Sequence, residues 1–240
     1  MDVIGYSERG AVNSLFYEIA YSSDAAARLA ALVSRATFPH TECCPPGGEA
    51  TVLLEQSFSQ FGTSDAVIVY TDQPSLVFVE AKVKTWGRKA WSIGQEYSKF
   101  VNGLQTKVSS SNLFTQLYYK YRLVRAVQSR DSTLKRGATF PEWSSRRKRK
   151  IGGNQVVLRT VDRLRCGIDE AFYLALLPDH ADRVAAFFDV TLDGGRVKVV
   201  SDWDMSTCGF LTWGQVALFC TENDLKHTLA VLEFNKGQIY

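Results

Sequence analysis

The stretch Ser64-Asp65-Ala66-Val67-Ile68-Val69-Tyr70-Thr71-Asp72-Gln73-Pro74-Ser75-Leu76-Val77-Phe78-Val79-Glu80-Ala81-Lys82-Val83 decides the fold. It holds two short apolar runs separated by turn-forming residues. Asp65–Tyr70 and Leu76–Val83 read as strands, and Asp72, Gln73, Pro74 and Ser75 read as the turn of a hairpin. Both runs are apolar on consecutive positions, which predicts strands covered on both faces. Side chains two apart on a strand share a face, so Glu80 and Lys82 point one way and Val79 and Ala81 the other. With the turn centred between Gln73 and Pro74, Asp65 stands opposite Lys82 and Val67 opposite Glu80. All three charged groups then gather on one face at one end of the hairpin.

Working outward, Thr51–Phe58 reads as a further strand. Two helices precede it. Ser7–Tyr21 places Val12, Leu15, Phe16 and Ile19 on one face, and Glu8, four residues before Val12, shares that face. Ala25–Ala36 follows with Asp24 as N-cap. Residues Phe38 to Glu49 carry three prolines and two glycines and read as a loop. Beyond the hairpin, helices are expected at Ile93–Val108 and Leu113–Val127. A strand is expected at Ala171–Leu177 and another at Arg196–Val200. Further helices are expected at Gln155–Leu164, His180–Phe188, Trp213–Thr221 and Asp224–Phe234. Ser129–Asn154 reads as irregular. This is an α/β pattern, and no repeat or clean linker divides it. One domain is expected, with a core to about residue 130 and a C-terminal α/β extension over 150–240.

Several functions are disfavoured by composition. No run of eighteen apolar residues exists, so no membrane partner is expected, and no secretory leader is visible. The five cysteines (Cys43, Cys44, Cys166, Cys208, Cys220) lack zinc-knuckle spacing and read as reduced thiols, which fits a cytoplasmic protein. The three histidines are scattered, which argues against an imidazole metal site. There is no Gly-x-Ser-x-Gly elbow, Walker loop or His-Glu-x-x-His. Net charge is only +3 but is segregated. Lys120 to Lys150 holds eleven Lys/Arg against two acids, whereas Thr160 to Tyr240 holds seven against twelve. A basic surface around Arg146, Arg147, Lys148, Arg149 and Lys150 is suited to track a phosphate backbone without reading sequence.

As a bare string, Glu-x-Lys after an Asp is expected about once per protein by chance. Its placement is more telling. Two carboxylates and an ammonium among Val, Ile and Phe are costly to bury without compensation. A divalent cation would compensate them, and carboxylate with main-chain oxygen suits Mg²⁺ or Mn²⁺. A buried structural ion pair beside a surplus acid is the plainer alternative.

Asp at the start of one strand and Glu-x-Lys at the end of the next resembles the motif of the PD-(D/E)XK, or restriction-endonuclease-like, nucleases, over about Glu8 to Val127. Ser64 stands where the family name has proline. The resemblance implies a mixed central sheet flanked by helices. It implies a metal-dependent nuclease acting on nucleic acid, DNA by preference. It makes Asp65, Glu80 and the Ala81 carbonyl metal ligands and Lys82 the residue at the attacking water. Glu8 matches a helix glutamate that many members aim at the metal. Some members place a glutamine on a later helix with a tyrosine four residues on. Gln116 stands there, but the fourth position is Lys120 and Tyr121 is the fifth. Many members act as homodimers, although no coiled coil is visible here. A catalytically silent module that binds nucleic acid or a protein is the competing expectation.

Overall fold

The computed structural model describes residues 7–84, 91–106, 111–128, 139–141, 148–191 and 203–237. Strands β1 (Ala50–Ser57), β2 (Thr63–Tyr70) and β3 (Ser75–Ala81) form an antiparallel meander. β6 (Ala171–Leu177) pairs parallel with β3, and β7 (Cys208–Thr212) pairs parallel with β6. The sheet order is β1-β2-β3-β6-β7. It is a mixed α/β sheet, and the segment read as a C-terminal extension supplies two of its five strands. Parallel pairing needs a long crossover, and the helices between β3 and β6 provide it.

Every residue of β3 is buried, as the unbroken apolar run predicts. One face of the sheet contributes Val67, Val69, Leu76, Phe78 and Tyr173 to a core with α3 (Ile93–Thr106), α4 (Leu113–Gln128), α5 (Gln155–Leu164) and α6 (Ala181–Thr191). The other contributes Ala66, Ile68, Val77, Val79 and Phe172 to a core with α1 (Ser7–Ala20), α2 (Ala25–Val33), α7 (Trp213–Glu222) and α8 (Lys226–Phe234). Strand alternation alone divides these residues between the two cores.

The hairpin register differs from the expected one by two residues. Tyr70 closes on Ser75 and Val67 lies opposite Phe78. Extending that ladder sets Asp65 opposite Glu80 rather than Lys82. The expected register would have needed a two-residue Gln73-Pro74 turn with proline at its second central position, which is disfavoured. The four residues 71–74 form the turn instead. A slip by two keeps each side chain on its face, whereas a slip by one would reverse them.

Other corrections are local. Asp24 holds Arg28 at 2.6 Å rather than capping α2 with its side chain. Strand β7 falls between the expected strand at Arg196–Val200 and the expected helix from Trp213, where the sequence predicts no element. The expected strand at 196–200 lies outside the described residues. Within the irregular basic segment, β4 (Thr139–Pro141) and β5 (Lys148–Lys150) pair antiparallel as a short ribbon.

Candidate metal and phosphate site

The charged cluster forms where β2 begins and β3 ends. Asp65 Oδ2 accepts the Ala81 N–H at 2.8 Å, which fixes one carboxylate oxygen across the strand pair. Glu80, on the same face, is wholly buried. Its Oε1 lies 3.0 Å from Lys120 Nζ, and its Oε2 has no hydrogen-bond partner among the described residues. Burial pushes the Glu80 carboxyl upward in pKa, Lys120 opposes that rise, and the Asp65 charge adds to it. A buried carboxylate oxygen without a donor is uncommon and calls for a ligand, a proton or an ion.

Glu8 reaches the same place from the first turn of α1. Burial raises its carboxyl to about 7, Lys82 opposes the rise, and Asp65 and Glu80 add to it. The three carboxylates therefore feel one another, as a shared site requires. They do not form a ready-made cage. Among the described residues, no group of three His, Cys, Asp or Glu side chains stands close enough to hold an ion.

The reason lies in the lysines. Lys82 Nζ donates to its neighbour's carbonyl, Ala81 O, at 2.5 Å, and stands 3.9 Å from Glu8 Oε1. The carbonyl expected to bind an ion thus holds an ammonium. The backbone of Lys82 is pinned from both sides. Its N–H donates to Leu176 O and its carbonyl accepts from Trp213 Nε1, each at 2.8 Å. Residues beyond 150 therefore hold the lysine of the motif in place.

Two site residues come from α4. Lys120 is completely buried, and besides Glu80 it meets the carbonyls of Phe61 and Thr63, each at 3.2 Å. Its signal in the sequence was a lysine on the stripe Leu113, Leu117, Lys120, Val124, Val127, where helical spacing demands an apolar side chain. Gln116, one turn before, carries a buried Oε1 that has no partner among the described residues. Glu8, Asp65, Gln116 and Lys120 line one pocket of about 420 Å³ together with the turn Ser59–Thr63.

Glu55 turns away from this pocket. With φ of +48° it breaks the β1 ladder and meets Asn13 and Arg9 on α1. A larger groove of about 780 Å³ lies between α1 and the start of α8. Of its two carboxylates, Glu18 accepts the N–H groups of His227 and Thr228, and Asp224 pairs with Lys226 at 3.2 Å, so the groove offers no free acid cluster among the described residues.

The basic ribbon approaches the pocket through its backbone. β5 lies against the 3-10 turn Ser59–Phe61, and Gly152 N–H donates to Ser59 Oγ at 2.9 Å. The path of Lys148–Lys150 is thereby anchored to the pocket's own rim. Arg146 and Arg147 lie outside the described residues.

The donor set fits a hard divalent ion in kind: all oxygen, with Glu80 Oε2 unsatisfied among the described residues. Fitting it geometrically requires Lys82 Nζ to leave Ala81 O. No helix among the described residues is long and apolar enough to cross a membrane. No family model, no curated protein and no solved structure matches this chain.

Proposed function

We propose that this chain is a metal-dependent nuclease, with a restriction-endonuclease-like fold, that hydrolyses phosphodiester bonds of nucleic acid, DNA in the first instance. The observation that carries the reading is Glu80, a wholly buried carboxylate whose Oε2 has no donor among the described residues, on the same face as Asp65, which lines a polar pocket. A chain that wanted only an ion pair with Lys120 would have no use for the free oxygen, nor for two further carboxylates beside it.

Asp65, Glu80 and Glu8 would hold Mg²⁺ or Mn²⁺. Such an ion, when bound, supplies a nucleophilic water at neutral pH and stabilises charge on the phosphate. Lys82 Nζ donates to the attacking water or to a phosphate oxygen, where its positive charge opposes the charge that develops. Gln116 lines the pocket, and its Oε1, which has no partner among the described residues, would accept a hydrogen bond that orients the water. The basic β5 strand at the rim holds the backbone of the substrate and reads no sequence.

The silent-module reading has one observation in its favour. Lys82 on Ala81 O and Lys120 on Glu80 compensate much of the buried charge without any metal. A cleavage panel separates the two. Plasmid, linear duplex, single-stranded DNA and RNA are incubated with Mg²⁺ or with EDTA, using Glu80→Ala as control. The nuclease reading expects cleavage of at least one substrate in Mg²⁺, lost in EDTA and in the variant. Binding without cleavage in every arm would favour the silent module.

A further inference from the structure

We propose that the Lys120 ammonium is a permanent second cation of this site, so that the pocket takes one divalent ion and not two; the inference rests on the nuclease reading above.

The ammonium of Lys120 sits in an oxygen cage of the kind a metal ion uses. Glu80 Oε1 is 3.0 Å away, and the carbonyls of Phe61 and Thr63 are each 3.2 Å away. The turn that presents those carbonyls passes through Gly62 at φ +84°, a conformation that side chains rarely adopt. Lys120 is itself fully buried, so no water competes for the cage. In two-metal sites the ions stand about 3.5–4 Å apart and share a carboxylate. Here the buried Glu80 offers one oxygen to Lys120 and only the other to an ion. Asp65 has Oδ2 already engaged by the Ala81 N–H.

Charge points the same way. As ligands of an ion, Glu8, Asp65 and Glu80 bring three negative charges, and Lys82 and Lys120 bring two positive ones; Arg9 at the rim is paired with Glu55. One divalent ion leaves a net of +1, which a single phosphodiester neutralises. A second ion would leave +3 beside the buried Glu80–Lys120 pair, where like charges are costly. Lys120 is thus a positioning residue. It holds Glu80 with one oxygen turned to the ion and supplies fixed charge from behind.

The test counts ions on the full-length protein without reference to activity. Mn²⁺ is titrated calorimetrically and by electron paramagnetic resonance in the absence of nucleic acid. The wild-type chain is expected to bind one Mn²⁺ with an uncoupled six-line spectrum. Lys120→Ala empties the cage and is expected to bind two, with spin coupling between them. Lys120→Met fills the space without charge and is expected to stay at one. Two ions on the wild-type chain, or one on a folded Lys120→Ala, would overturn the inference while leaving the nuclease reading intact. No ion on the wild-type chain would remove that reading and this inference with it. Should Lys120→Ala not fold, the wild-type count and spectrum decide alone.

Discussion

Lys120 Nζ and Glu80 Oε1 lie 3.0 Å apart, and neither side chain exposes any surface to water. Removing one partner of such a pair leaves the other charged and unsolvated. Lys120→Ala is expected to cost about 3–5 kcal/mol of unfolding free energy. Glu80→Gln with Lys120→Met removes both charges and should cost clearly less than the two single changes summed. Urea denaturation of the four proteins measures this. Additive losses would mean that the two groups do not interact.

Gln116 has a different signature. Its Oε1 is buried without a partner among the described residues, so shortening the side chain breaks no bond that atom makes to them. Gln116→Ala should leave stability within about 0.5 kcal/mol. If that oxygen orients a water or phosphate, the rate falls by about ten- to a hundredfold, the value of one good hydrogen bond. Unchanged kinetics would return Gln116 to the role of a wall.

Glu8 links the site to pH. Its carboxyl rises from 4.5 to about 7 in the folded chain, chiefly through burial. The folded state then binds the proton more tightly than the unfolded state. In metal-free buffer, stability should therefore be highest below about pH 4.5 as far as this group is concerned. It should fall as pH rises toward 7, by up to about 3 kcal/mol. Glu8→Gln cannot titrate and should flatten that part of the profile. Melting curves in EDTA between pH 5 and 8 report the difference, and parallel profiles would contradict the burial argument.

Glu18 offers a test of the scaffold alone. It accepts the N–H groups of His227 and Thr228, at 3.0 and 2.8 Å, and so caps α8 from α1. Glu18→Ala should cost about 0.5–2 kcal/mol with no change in cleavage, since the helix end loses its acceptor.

Much of the site was legible in the sequence because strand and helix periods are local. The apolar runs fixed Asp65, Glu80 and Lys82 on one face, and the error of two in register kept that face. The i, i+4 relation put Glu8 on the packing side of α1. Lys120 was harder to see, since its meaning depends on the Phe61–Thr63 turn brought to it across the fold. Strand β7 is short and contains Gly209, which lowers strand propensity. Only the packing explains that glycine: a Cβ there would come within 2.5 Å of the Phe38 ring. Nothing local announces the β3–β6 pairing either, yet it carries the Lys82 N–H.

The central claim is that the carboxylates at the β2–β3 mouth carry out metal-dependent phosphodiester cleavage. The most direct measurement compares wild-type protein with the near-isosteric Asp65→Asn in Mg²⁺, on whichever substrate the panel identifies. Circular dichroism must first show the same fold for both. Asp65→Asn is expected to lower the cleavage rate by at least about a hundredfold, equivalent to about 2.7 kcal/mol of transition-state stabilisation. Equal rates in the two proteins, or wild-type cleavage that persists in EDTA, would contradict it.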